Sequence, residues 1–427
     1  MILPVFSLYA ENLKGAIPVL VGLAIGAYGL TQALLQIPFG MLSDHLGRKP
    51  VIIFGLILFC VGSIVAAMAD SIGGIILGRA MQGAGAIAAA VMALAADLTR
   101  EEHRSRIMAT IGMSIGLSFA VSLVMGPLLA HWIGVKGIFW LTSVLALLGV
   151  LVVIIAVPTP ERRVFHRDAE SKAAFFADVL ANPQLLRLDV GVFSLHMILT
   201  ASFVALPFAL RDMAGLDSAR HWEVYLPVML ISLFLMFPAV IIAEKHRRIK
   251  QVFIAAIVGI VCAELGLMFF HDSLTGIIVA LMLFFIAFNV LEALLPSMIS
   301  KFSPPERKGT AMGVYSTSQF LGAFTGGISG GALYGSSGLS GVFMFCTIAG
   351  LVWLALAQTM KEPRYLSDYL LHVGELDQRQ QQDMLARLQQ MTGVAEVVLV
   401  ADEGTAYLKI DRRVADMDAL EAMSVYV

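Results

Sequence analysis

Long apolar runs divided by short polar loops fill the first 360 positions of the chain. A run of ~20 mostly apolar residues crosses a bilayer as a helix. The runs predict complete spans near 15–41, 51–69, 72–96, 107–131, 137–157, 188–210, 223–243, 251–270, 274–299, 309–334 and 338–359. The opening Met1–Leu8 is apolar too, but at ~1.5 Å per residue it is too short to span. It has neither the basic start nor the small-residue cleavage site of a signal peptide. It reads as the outer end of a first helix whose inner half is missing, and the chain is expected to be N-terminally truncated. Counting that fragment, the spans divide six and six about the polar stretch 158–187. The expected units are a first membrane half at 1–157, a linker at 158–187 and a second half at 188–360.

After Pro363 the period changes. Tyr369–Val373 reads as a strand, and Asp377–Met391 as a polar helix with apolar positions at Met384, Leu385, Leu388 and Met391. Val394–Val400 and Thr405–Ile410 form a hairpin around Glu403-Gly404, and Asp416–Met423 a second helix. With a closing strand at the terminus, 365–427 is expected to be a small α+β ferredoxin-like domain. Its sheet edge is open to self-association, and binding a small ligand or simply capping the bundle are the other roles considered for it.

Composition agrees with a membrane protein. Hydrophobic residues are 58% and charged residues 14% of the chain, against about 25% charged in soluble proteins. A net charge of −2 gives no pull toward nucleic acid. Cys60, Cys262 and Cys346 lie inside apolar runs, with neither metal-ligand nor disulfide spacing. Orientation follows from Lys and Arg in the loops. One set of alternating loops carries nineteen of them, including Arg48, Lys49, Arg187, Arg247, Lys301 and Lys361; the other carries Lys14, Lys136, Arg211 and Arg220. The basic set is expected to be cytoplasmic, and the C-terminus with it. The two halves also echo each other at an offset of 204: Glu102…Gly126-Pro127 against Glu306…Gly330-Gly331. Two parallel repeats about an axis normal to the membrane produce such an echo.

Candidate chemistry gathers at a few polar positions. Between the second and third spans stand Gly40, Asp44, Gly47, Arg48 and Lys49. Asp44 can face the positive end of a neighbouring helix, and Arg48 can pair with Asp97, which closes the fourth span. These charges either gate that face or merely set topology. Arg79 lies inside the fourth span with Gln82 one turn on; its cost there demands a cavity, a carboxylate or escape to the interface. Gly126-Pro127 bends the fifth span. Glu264 and Glu292 sit inside spans, and Asn289, Glu292 and Pro296 share one helix face. Glu292 is the candidate proton carrier, with structural hydrogen bonding as its alternative. His196 is a further candidate for proton coupling, and a structural role is open for it too. Tyr28, Gln32, Gln36, Tyr315 and Gln319 are candidate cavity residues, with ordinary interhelical hydrogen bonding as the bland reading.

Gly40-x3-Asp44-x2-Gly47-Arg48-Lys49 resembles the loop between the second and third helices of the major facilitator superfamily, and Arg79-x2-Gln82-Gly83 its fourth-helix motif associated with proton coupling. Gly126-Pro127 is similar to a fifth-helix motif of its drug–proton antiporters. Two positions depart from the pattern: His45 replaces a customary cation, and Leu128-Leu129 a glycine pair. The resemblance covers residues 1–360. It implies an all-α polytopic membrane protein of two pseudo-symmetric six-helix halves, the first helix incomplete, in a bacterial inner membrane. It further implies secondary active transport, proton-driven efflux of a small amphiphilic compound by alternating access, with the proton gradient as energy source and no cofactor, metal or enzymatic step. Proton-coupled uptake, or a membrane sensor built on a transporter body, are the alternatives.

Overall fold

The computed structural model describes residues 2–99, 101–159, 175–304, 307–362, 367–374, 377–400, 404–411 and 414–424. The linker's basic cluster (Arg162, Arg163, Arg167, Lys172), Glu306, the hairpin turn at Glu403 and the closing strand expected at the terminus lie outside these residues.

Sequence punctuation sets the helix ends. Helix α1 (Phe6–Ala10) is a short piece whose Phe6 is buried. Helix α2 (Pro18–Leu46) starts on a proline, whose missing N–H costs nothing at a first turn. It ends at Gly47, where φ of 104° favours a residue without Cβ. Helix α3 (Arg48–Met68) begins at once. Helix α4 (Ile72–Ala84) is capped by Ser71, and α5 (Ala88–Asp97) continues its path after a break at 85–87. That break lies within the predicted span 72–96 and was not expected. Gly85 causes it by pressing on α3: a Cβ there would lie 2.3 Å from the Gly55 carbonyl oxygen.

Helix α6 (Glu101–Ile155) is two segments joined at Gly134, the residue in it with non-helical dihedrals (φ 70°). Helical dihedrals continue through Gly126-Pro127, where a bend is expected, and the turn comes at Gly134. After α7 (Phe176–Ala181), inside the predicted linker, come α8 (Pro183–Phe208), α9 (Trp222–Lys245), α10 (Ile249–Phe270) and α11 (Leu274–Phe302). Helix α12 (Lys308–Gln358) also breaks at a glycine, Gly338 (φ 66°). Among the described residues nine helices are long and apolar enough to cross a membrane. Breaking two of them at Gly134 and Gly338 gives the eleven spans predicted.

Helices α2–α6 form one bundle and α8–α12 another. The bundles meet mainly where α2 packs on α12 and α6 on α9. The α2–α12 seam is backbone against backbone: Cβ atoms on Gly22, Gly26 and Gly29 would lie 2.0, 2.8 and 2.7 Å from the carbonyl oxygens of Gly327, Phe324 and Phe320. It occupies the start of α2, away from Arg48. At the same end Arg211 bridges to Glu11 at 2.7 Å, and Phe208 stacks on Tyr334. Nearby, Lys136 donates to Asp70 at 2.5 Å and holds that carboxyl below its usual range. At the basic end the bundles part: Gly112–Ser118 of α6 are exposed round the whole helix.

The tail forms a three-stranded antiparallel sheet in the order β1-β3-β2, from β1 (Ser367–His372), β2 (Val394–Val400) and β3 (Thr405–Ile410). Helix α13 (Gln378–Gln390) starts on an Asp377/Gln380 capping box, and α14 (Met417–Glu421) on Asp416. Leu371, Leu388, Ala406, Leu408, Ile410 and Leu420 make its core. The domain docks on the second bundle through Lys409, 3% exposed, whose ammonium donates to the carbonyls of Lys301 (3.1 Å) and Ser303 at the end of α11. Cations suit a helix C-terminus. Arg247, held at φ 55°, pairs with Asp411 at 2.7 Å beside it. Lys409→Met is expected to weaken docking by about 2 kcal/mol, the worth of a charge-assisted hydrogen bond. Trypsin should then release the tail several-fold faster; an unchanged rate would show that other contacts hold the domain.

Candidate functional site

Two polar constellations stand out. The first is at the basic end of the first bundle. Gly40 brings α2 close to α5, where a Cβ would lie 3.1 Å from that of Ala89. The turn at Gly47 then swings Arg48 back beneath both helices. Arg48 Nε donates to Asp97 at 3.0 Å, its Nη1 to Ser43 at 2.9 Å, and it also pairs with Asp44. The arginine is 6% exposed and the Asp97 side chain 1%. Lys49 donates to the Val157 carbonyl at 2.8 Å, tying in the end of α6. Ser43 was not among the candidates; a small polar residue inside a motif carries no separate signal. All these partners belong to one bundle, so the network braces α2, α3, α5 and α6 together.

The second constellation spans the two bundles at mid-depth. Gly83 lets α4 press on α2, a Cβ there falling 2.1 Å from the Tyr28 carbonyl oxygen. Arg79, one turn earlier, thereby reaches the carbonyls of Ala24 and Ile25, both at 3.4 Å, and lies 4.9 Å over the Tyr28 ring. It donates to Gln82 at 2.9 Å, which in turn donates to Ser63 at 2.8 Å. No carboxylate pairs with Arg79 among the described residues. From the other bundle, His196 Nε2 lies 2.8 Å from the Gln319 amide and 3.4 Å from Glu292. Arg79, Tyr28, His196, Thr200 and Gln319 line a cavity of about 210 Å³ completed by Ile2, Leu3, Ile25, Leu199 and Phe320. Its wall is thus largely apolar with a few convergent polar groups, as small-molecule sites are.

The structure therefore brings Arg79, Gln82, Tyr28, His196, Gln319 and Glu292 into one region. Gln32 and Gln36 are buried but not on the cavity wall. Asn289 points elsewhere, donating to Ser232 of α9 at 3.1 Å. Tyr315 is 5% exposed and within electrostatic reach of Glu292 and Asp189. Glu264 accepts from Ser202 at 2.8 Å inside the second bundle, away from the cavity. Asp189 went unnoticed because it stands two residues inside a predicted span, where it reads as a boundary charge.

A profile of the Major Facilitator Superfamily matches residues 1–290 and 221–368. The chain is 47% identical over 421 residues to the inner membrane transport protein YajR of Escherichia coli K12, covering 99% of this chain and 92% of that one. It is 26% identical over 341 residues to the multidrug resistance protein MdtH of Aeromonas salmonicida, covering 78% and 83%. Its fold is similar to that of the human organic anion transporter MFSD10 (TETRAN), with a TM-score of 0.60 at 23% identity over 80% of this chain and 84% of that one.

Proposed function

The chain belongs to the major facilitator superfamily, and from that membership we propose that it exports small amphiphilic compounds by alternating access, driven by proton entry. As a multi-pass transporter it moves solutes and is no enzyme. The observation that carries the reading is the cavity between the bundles, where Arg79 of one faces His196 and Gln319 of the other, with Glu292 beside His196. A carboxylate next to an imidazole can hold a proton as a neutral acid beside a neutral base or as a facing ion pair. A change in the number of protons on Glu292 and His196 alters their contact across 3.4 Å and with it the hold of α11 on α8. Relatives that are multidrug resistance proteins support the export direction. The Lys/Arg excess supports a cytoplasmic basic face and tail, and YajR supports an inner-membrane location. The Asp44–Arg48–Asp97 network, where α2, α3 and α5 meet at the basic face, serves as the cytoplasmic gate through its charges.

Inside-out vesicles energised by respiration test this. An amphiphilic substrate found by screening a panel is expected to draw protons out of the lumen, and Glu292→Gln to slow that response roughly 100-fold. Silence across the panel, with the protein shown to be folded and inserted, would discard export. Arg79, which has no carboxylate partner among the described residues, favours a second reading, proton-coupled uptake of an anionic amphiphile. In vesicles without a gradient such a solute would carry protons into the lumen.

A further inference from the structure

Glu264 lies inside α10 and is 0% exposed. Gly350 brings α12 onto α10 close by: a Cβ there would lie 2.8 Å from Val261 Cγ2 and 3.9 Å from Ile198 Cδ1 of α8. Three helices therefore meet around the carboxyl. From α8 comes Ser202, whose Oγ lies 2.8 Å from Glu264 Oε1. From α12 comes Cys346, whose Sγ lies 3.5 Å from Ser202 Oγ and 3.9 Å from the Ile198 carbonyl oxygen. Glu264 Oε2 has no partner, and no cation pairs with the carboxyl, among the described residues. Buried polar groups are almost always hydrogen-bonded, so an acid left this way needs an explanation.

Counting hydrogens supplies one. A hydroxyl carries a single hydrogen, so Ser202 cannot donate to both Glu264 and Cys346. Were Glu264 ionised, Ser202 would donate to it, and a lone buried charge would rest on one hydrogen bond with its other oxygen bare. Burying a charge without a partner of opposite sign is among the costliest arrangements in a protein. With Glu264 as a neutral acid, its O–H donates to Ser202 and the Ser202 O–H donates to Cys346 Sγ. The Cys346 S–H then donates to the Ile198 carbonyl. Every hydrogen is used once and no charge is stranded. The bare Oε2 becomes the carbonyl oxygen of an uncharged acid.

We propose that Glu264 is a proton-binding site separate from the Glu292–His196 pair, holding one resident proton that fastens α10 to α8 and, through Ser202 and Cys346, to α12. The proton is a structural ligand rather than cargo. Ile198 and Ser202 flank Leu199 and Thr200, which line the cavity. The fastening thus positions the α8 wall of the cavity from behind. Helices α9, α11 and α12 pack against α10. Among the described residues Ser202 of α8 and Cys346 of α12 are the groups that interact with the carboxyl, and no charged side chain of α9 or α11 does.

Glu264→Gln tests the site, because an amide keeps the shape and a donor but has no proton to lose. In the parent, unfolding frees a carboxyl that releases its proton above about pH 4.3. The folded chain then holds one proton more than the unfolded chain, so stability falls as pH rises. Equilibrium unfolding of the full chain in mixed micelles should show the parent's folding constant dropping relative to that of Glu264→Gln, roughly tenfold per pH unit near neutrality. Infrared spectra of the full chain in liposomes give a second readout. The difference between parent and Glu264→Gln should hold a protonated-carboxyl band that survives in Glu292→Gln and shifts in Ser202→Ala. Equal pH slopes, or a carboxylate band in place of the protonated one, would overturn the site. Failure of Glu264→Gln to fold would overturn it too, since the amide reproduces the neutral acid. None of these readouts requires transport, so each is independent of proton-driven export.

Discussion

Replacing Gly22 by valine is expected to force open the face of the protein opposite Arg48. A Cβ at Gly22 would lie 2.0 Å from the Gly327 carbonyl oxygen, 2.9 Å from its carbon and 3.1 Å from Gly331 Cα. All three atoms are backbone, so no rotamer relieves the clash and the two helices must part. The contact lies between the bundles, and neither bundle loses an internal contact when it opens. The exposed Arg211–Glu11 bridge at that end is worth about 0–1 kcal/mol and will not resist. Overpacking costs about 1–3 kcal/mol, and each ~1.4 kcal/mol shifts a two-state ratio tenfold. The population open on that face should rise by roughly 10- to 100-fold. Spin labels at Ile17 and Ser336, both exposed, should show a longer distance. Gly73→Val is the control, because a Cβ there meets nothing within 4 Å. A distance distribution for Gly22→Val identical to the parent's would mean that the seam is not what closes this face.

The seam also marks where sequence reading stops. Apolar runs, Pro18 and Gly47 announce α2 because hydrophobicity and backbone permissiveness are local properties. Nothing local says that Gly22 faces Gly327. The break at 85–87 was unreadable for the same reason, since Gly85 looks like any packing glycine until Gly55 of α3 is laid against it. Within the site, Arg79 and Gln82 announce each other by sharing a helix face. His196 and Glu292 sit on α8 and α11, and only packing makes them neighbours. Asn289 shows the converse failure. Spacing puts it on the Glu292 side of α11, but helical spacing leaves the choice between adjacent neighbours open, and Ser232 of α9 takes it. The tail was more legible, because a capping box and alternating strands are themselves local signals.

Arg48→Met should be the most destabilising single change at the basic face. The guanidinium of α3 joins three side chains from two other helices, α2 and α5, and two of the charges, Arg48 and Asp97, are almost sealed from solvent. Removing one partner of a buried ion pair leaves the other charge buried without its cation, at a cost of about 3–5 kcal/mol. Replacing both sealed partners by apolar residues is far milder, because the charge then left, Asp44, is about a third exposed and can be hydrated. The double variant Arg48→Met with Asp97→Leu should therefore unfold at a temperature closer to the parent's than Arg48→Met alone. Thermal unfolding of the three proteins in one detergent measures this, and a single variant as stable as the parent would refute the buried pair. The same double variant separates bracing from gating. If the network only braces its bundle, the apolar replacement should transport normally once a substrate is in hand. If the charges gate the face, a stable protein should have lost its transport.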